Sequence, residues 1–471
     1  MIENQREEVM PDAVHTPESN GRSGVEHDAV ATAHVVDARL DGRALILGTL
    51  PPEGRDLDLV VRRPERETAR SALAADGFIP RGPGLTPRRR WVEQLVRFRN
   101  GSAFSVDLNP AERWGMSRKE LEALFAEARP VDGMDKIARP APHHMLLLVA
   151  RKVCRSGGHL DAKRRRRVER ALAEDPRAWE TARERAPMWG LGPALELLES
   201  VYGGAVVSPG ALKRAQATLL LSGGPRWWLE MVARRVRSML PRRTRIISLS
   251  GLDGAGKSSQ STALIEMLEG LGVDITVEWM PLGHAPRYRA IRTIRGAVGR
   301  ALRIYRRARG LGRARGGSGA DSAKSQDVAL RKRSGAVNQA WTTVVALHQA
   351  IQHRKALLKH AGRGKVVIFD RYTPDAAAQL RFFYGSQNAF RFQKWLIDRI
   401  SPNPRRSYLL EVPPAVVAAR KPLQYTFEGV CEQAALLVEE SGRLGVVRLD
   451  GERPREEITE RIARELWEAA A

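Results

Sequence analysis

Chemistry is most legible at Gly251-Leu252-Asp253-Gly254-Ala255-Gly256-Lys257-Ser258. Glycines at this spacing let successive backbone N–H groups turn inward around phosphate oxygens, an approach that side chains would block. The flanks fit: Ile246-Ile247-Ser248-Leu249 reads as a strand running in, and Ser259 to Leu271 as a helix whose positive end faces the bound anion. Gly251, Gly254, Ala255, Gly256, Lys257, Ser258 and Ser259 would then cradle ATP, with Lys257 bridging the β- and γ-phosphates and the Ser258 hydroxyl on Mg²⁺. A second piece is Val366-Val367-Ile368-Phe369-Asp370-Arg371, a buried-strand pattern ending in opposite charges. Asp370 is placed for the metal and Arg371 for a phosphate, the two things phosphoryl transfer needs. The competing readings are a glycine-rich turn that matches by chance and a surface ion pair.

Carboxylates supply the chemistry of the first half. Gly48-Thr49, Asp56-Leu57-Asp58-Leu59-Val60 and Val106-Asp107-Leu108 together resemble the nucleotidyltransferase superfamily, with its turn, its paired carboxylates on one strand and a third on the next. Residues two apart on a strand share a face, so Asp56 and Asp58 can hold Mg²⁺ beside a triphosphate, with Asp107 completing the site. Thr49 stands where that superfamily has serine, and a degenerate binding domain of the same fold competes with an active transferase. His143-His144 opens an apolar helix; adjacent helical positions point apart, so the pair reads as ordinary helix-start residues rather than metal ligands. Lys163-Arg164-Arg165-Arg166-Arg167 reads as a solvated basic helix face, with anion binding the alternative. Trp227-Trp228 reads as a packing anchor between domains, with a membrane-interface pair the alternative.

These groups need elements to hold them. Strands are predicted at Ala44–Leu47, Leu57–Val61, Trp91–Phe98 and Ala103–Leu108, with an Asn100-Gly101 hairpin turn joining the last two. Leu146, Val149 and Val153, then Leu191, Leu195 and Leu198, fall at helical spacing. Further strands are predicted at Arg245–Ser250, Val366–Phe369, Tyr408–Glu411 and Val446–Leu449, alternating with long helical segments. The expected fold class is α/β: a phosphate-loop parallel sheet flanked by helices, preceded by an α+β nucleotidyltransferase-like domain. The expected layout is a disordered tail over 1–30, a first domain over 31–203, a linker over 204–244 with an amphipathic helix at Trp227 to Leu240, and a second domain over 245–471. An Arg/Gly-rich insertion at 286–335 interrupts the last.

At 471 residues the chain exceeds what one core usually organises. Lys and Arg number 78 against 54 Asp and Glu, a formal charge of +24, which draws anionic partners without selecting one. The only cysteines, Cys154 and Cys431, lack metal-ligand or disulfide spacing, and no apolar run approaches a membrane span or a signal peptide. The expected setting is cytoplasmic. The insertion, with Ile291, Ile294, Val298, Leu302 and Tyr305 at helical spacing among many arginines, either caps the acceptor site or lies on an anionic membrane surface; nucleic acid is the least favoured partner.

Gly251–Gln260 followed by Asp370-Arg371-Tyr372 resembles the thymidylate kinase family. That resemblance implies an ATP-dependent phosphotransferase in which Asp253, Arg371 and Tyr372 surround the acceptor. Leu409-Leu410-Glu411-Val412-Pro413-Pro414 through Arg420-Lys421 is similar to that family's strand and lid entry, which implies that Arg420 closes over the transferred phosphoryl group. Gly451-Glu452-Arg453-Pro454 is similar to its adenine-side loop. The chain departs from the family at Glu278-Trp279-Met280-Pro281, where the arginine that binds the acceptor phosphate is missing, and at Thr373-Pro374-Asp375-Ala376, where the family is serine-rich. The acceptor is therefore read broadly, as a nucleoside monophosphate or related small molecule. The alternatives are a nucleotide-dependent interaction protein without catalysis and nucleotidyl transfer by the first domain.

Overall fold

The computed structural model describes residues 20–40, 42–48, 56–81, 93–99, 101–114, 116–222, 244–280, 335–361, 365–385, 389–420 and 425–468. Thr49, Trp227-Trp228, the expected helix at 227–240 and nearly all of the 286–335 insertion lie outside them. The chain is α/β and divides into two compact units, one built from described residues up to Pro80 and from Glu93 to Ser222, the other from those beginning at Thr244.

The first unit opens with α1 (Asn20–Arg39), β1 (Ala44–Ile46), β2 (Asp56–Val61), α2 (Arg63–Ala75), β3 (Ile79–Pro80), β4 (Glu93–Arg99) and β5 (Ser102–Pro110). It continues with α3 (Arg118–Ala126), β6 (Arg129–Val131), β7 (Met134–Arg139) and the helices α4 (Pro142–Arg155), α5 (Ala162–Glu174), α6 (Ala178–Arg185), α7 (Gly192–Tyr202) and α8 (Pro209–Ser222). The strands form one mixed sheet in the order β3-β4-β5-β2-β1-β7-β6, with β2–β5 and β1–β7 parallel.

Period-two alternation sorts this sheet's side chains between two cores. Ala44, Ile46, Leu57, Leu59, Val61, Val106 and Leu108 pack with α1 and α2 residues such as Val36 and Leu73. Leu45, Leu47 and Val60 pack with the helical layer that includes Leu146, Val153 and Leu198. Asp56, Asp58 and Asp107 fall on this second face by the same alternation. Two boundaries move relative to the expected layout. Helix α1 begins at Asn20 rather than after residue 30; its later part, with Ala33 and Val36, covers the sheet together with Leu40 just beyond it, and Asp37 accepts from the backbone N–H groups of Asp135, Lys136 and Ile137 at 2.8, 3.0 and 2.6 Å. Helix α8 falls inside the expected linker, yet its Ala215 and Leu219 are buried in the helical core.

The second unit contains β8 (Arg245–Gly251), α9 (Lys257–Gly270), β9 (Ile275–Trp279), α10 (Gly335–His360), β10 (Val366–Asp370), α11 (Thr373–Tyr384) and α12 (Arg391–Ile400). Then follow β11 (Arg406–Glu411), α13 (Pro414–Arg420), α14 (Phe427–Arg443), β12 (Val447–Asp450) and α15 (Arg455–Glu468). Its five strands are all parallel, in the order β12-β11-β8-β10-β9. Parallel strands covered by helices on both faces lose the polar alternation of a half-exposed strand. Accordingly every residue of β10 is buried, as is every residue of β8 after Arg245. Strand β9 carries Glu278 and an exposed Trp279 at the sheet's edge, so its apolar signal in the sequence is weak. Among the described residues no helix is long and apolar enough to cross a membrane.

Candidate functional sites

The carboxyl end of β8 meets α9 through Gly251–Gly256, where φ is positive at Gly251, Gly254 and Gly256. At Gly251, with φ 154°, a Cβ would also sit 2.9 Å from the carbonyl oxygen of Leu410 on neighbouring β11, so a side chain is excluded on two counts. Lys257 bends back over the loop, its Nζ donating to the carbonyls of Gly251 and Leu252, each at 2.9 Å. Burial pushes the Lys257 ammonium below the ordinary lysine range, and Arg371 adds to that; Asp370, Asp375 and Asp253 act against it. Ser258 and Ser259 are exposed at the start of α9.

Strand β10 pairs with β8 so that Asp370 lies opposite Leu249, which brings its carboxylate to the loop. Asp370 is 6% exposed, and its Oδ1 has no hydrogen-bond partner. Burial raises its pKa above the ordinary aspartate value, with Asp375 contributing in the same direction and Lys257 and Arg371 opposing. Arg371 holds φ at 70° and reaches Asp253 in an ion pair. A non-glycine residue in this region costs of order 1–3 kcal/mol and persists only where its surroundings impose it. Here the Arg371 N–H is held by the Leu249 carbonyl at 3.0 Å.

Not every expected residue joins this cluster. Tyr372, which the family resemblance places around an acceptor, is buried; its hydroxyl donates to the Pro402 carbonyl and its ring packs against His353 and Phe369. Arg420 is exposed at the carboxyl end of α13, next to residues outside the described set. Glu278 accepts from Lys359 at 2.9 Å and contacts His360 at 2.6 Å, so the strand that lacks the acceptor arginine carries a carboxylate already engaged. Asp375 was missed. Its Oδ2 accepts from the Tyr372 N–H at 3.0 Å and its Oδ1 from the Gly251 N–H at 3.5 Å, tying the start of α11 to the glycine loop. The available signal was an aspartate at the third position of a helix opened by Thr373-Pro374, the place for a capping carboxylate.

In the first unit Asp58 on β2 lies directly across from Asp107 on β5, and carboxylate oxygens of Asp56, Asp58 and Asp107 can approach within 4.8 Å of one another. Asp107 lies within β5, and it is 2% exposed. The basic run of α5 is only partly the solvated face expected: Lys163 Nζ lies 3.4 Å and Arg167 Nη2 3.1 Å from Asp58 Oδ2, and Lys163 is 3.9 Å from Asp56. Lys152 on α4, 5.0 Å from the centroid of the Trp114 ring, is pushed down to about 8 by burial and then by Arg167, while Asp58 opposes. The carboxylate cluster is thus partly neutralised by Lys163 and Arg167 of α5.

The histidine pair departs most from expectation. The two ring centroids are 4.3 Å apart. Glu127 Oε2 lies 3.0 Å from His143 Nε2 and 3.4 Å from His144 Nε2. Burial lowers the His143 pKa, and burial with the neighbouring His143 pushes His144 down to about 4. No known family's sequence model matches the chain, and no curated protein matches it.

Proposed function

We propose that the second unit is an ATP-dependent phosphotransferase of the thymidylate-kinase type, acting on a nucleoside monophosphate or related small molecule. The observation that carries this reading is the buried, unpartnered Oδ1 of Asp370 beside a glycine loop over which Lys257 folds. Hard oxygen donors are what Mg²⁺ takes, so Asp370 and the Ser258 hydroxyl fit an ion shared with the nucleotide's phosphates. When bound, that ion would neutralise charge developing on the phosphates. Lys257 would exchange its two carbonyl partners for phosphate oxygens, the loop N–H groups would orient them, and Arg371 would face the transferred group while Asp253 orients the acceptor. Positioning and charge account for most of this reaction's acceleration.

Calorimetry with ATP-Mg²⁺ on the parent and Lys257→Ala, followed by turnover against nucleoside monophosphates, nucleosides and sugars, tests the reading. Micromolar binding in the parent and its loss in the variant are expected. Thymidylate should be a poor acceptor, since a lost charge-assisted phosphate contact costs about 1.5–3 kcal/mol. No binding by the parent overturns the reading, and binding without turnover on any acceptor favours a nucleotide-dependent interaction protein. The Asp56–Asp58–Asp107 cluster supports a second reading, nucleotidyl transfer by the first unit; pyrophosphate release that Asp58→Asn abolishes is its test.

A further inference from the structure

We infer that Glu127, His143 and His144 form a binding site for a divalent transition metal of the zinc type, separate from both acidic clusters. Three donors converge: the ligating atoms of all three residues lie within 4.8 Å of one another. In a tetrahedral site with ligands at about 2.0–2.1 Å, donor atoms stand about 3.3 Å apart. The two distances from Glu127 Oε2 to the imidazole nitrogens, 3.0 and 3.4 Å, straddle that edge.

The surroundings hold the donors ready. Trp189 stacks on His144 at 5.1 Å with an 11° interplanar angle, fixing its ring. His144 is 2% exposed, and its Nε2 faces the Glu127 carboxylate at 3.4 Å without a well-aligned hydrogen bond. Arg185 lies 3.4 Å from Glu127 Oε1, the oxygen turned away from the imidazoles, and so orients the carboxylate as outer partners of metal ligands do. The Glu127 side chain keeps a third of its surface exposed, which gives an ion a route in and room for water at a fourth position.

Two imidazoles and one carboxylate select Zn²⁺, Co²⁺, Ni²⁺ or Cu²⁺ over Mg²⁺ and Ca²⁺. Glu127 caps the end of α3 and the histidines sit in the first turn of α4, so a bound ion would clamp two helices that are separated in the chain by β6 and β7.

Metal-stripped full-length protein, titrated with Co²⁺ in millimolar Mg²⁺ to occupy the aspartate sites, provides the test. The parent should develop a visible Co²⁺ absorption band saturating at one equivalent and displaced by Zn²⁺. Glu127→Gln, which keeps the side chain's shape, and His144→Ala should weaken Co²⁺ binding by about tenfold or more. A parent chain without a one-equivalent band overturns the inference regardless of how the variants fold. A band of unchanged affinity in folded Glu127→Gln and His144→Ala proteins also overturns it.

Discussion

Arg371 combines a left-handed backbone with a charge aimed at the glycine loop, and the two can be separated by substitution. Replacing it with glycine relieves the φ strain, though glycine's freer unfolded chain offsets part of that gain. The lost ion pair matters little to stability, because Asp253 is half-exposed and such pairs contribute about 0–1 kcal/mol. Arg371→Gly should therefore be more stable than Arg371→Ala by about 1 kcal/mol, while both lose phosphotransfer by about a hundredfold or more for want of the guanidinium. Denaturant unfolding and steady-state turnover read the two effects independently. Equal stability of the two variants would remove the strain argument, and unimpaired turnover would remove Arg371 from the site.

At the scale of elements, α10 and β10 are joined by a buried histidine. His353 is fully buried, its Nδ1 2.9 Å from Ser401 Oγ and its Nε2 3.1 Å from Gln349 Nε2, with its ring packed on Tyr372 and Phe369. Burial pushes its pKa down to about 3 from the ordinary 6.5. The unfolded chain then binds a proton that the folded unit refuses, so stability is fully present above about pH 6.5 and falls as pH drops toward 3. The loss should reach a few kcal/mol at the acid end. His353→Gln, which keeps hydrogen-bonding capacity without titrating, should flatten this limb. Chemical unfolding of both proteins between pH 7 and 4.5 checks it, and parallel curves would mean that other groups set the acid sensitivity.

What could be read from residues alone also divides by element. Strands β2, β5, β8 and β10 were legible because burial on one or both faces writes itself as alternation or as an unbroken apolar run. Strand β7 was not, since Met134-Asp-Lys-Ile-Ala-Arg139 buries only Ile137 and Ala138, and the bonds that fix it to Asp37 come from backbone N–H groups that leave no mark in the sequence. Glycine spacing revealed the loop, because the backbone itself does the work there. The Glu127–His143–His144 group was hidden, because it depends on where α3 ends relative to the start of α4. Sequence separation carries no trace of that. Asp375 was passed over because the local pattern says only that a helix begins; its contact with the Gly251 N–H is a product of the sheet order.

Charge is a property of the entire chain, yet its excess of +24 is unevenly placed. Between residues 287 and 333 arginines recur from Arg287 through Arg333, opposed only by Asp321 and Asp327. In that stretch Ile291, Ile294, Val298, Leu302 and Tyr305 keep helical spacing, so a helix formed there would carry an apolar stripe edged with positive charge. Each basic side chain near an anionic bilayer adds about 1 kcal/mol, an attraction that fades within about 10 Å at 0.1 M salt. Gly296 and Gly299 would weaken such a helix by about 1 kcal/mol each. The chain should therefore sediment with vesicles rich in anionic lipid at low salt, release as salt is raised, and ignore neutral vesicles. Deletion of 287–333 should abolish that binding. Sedimentation that survives the deletion would assign the attraction to the remaining basic surface, and its absence from anionic vesicles at low salt would leave the segment the role of covering the acceptor.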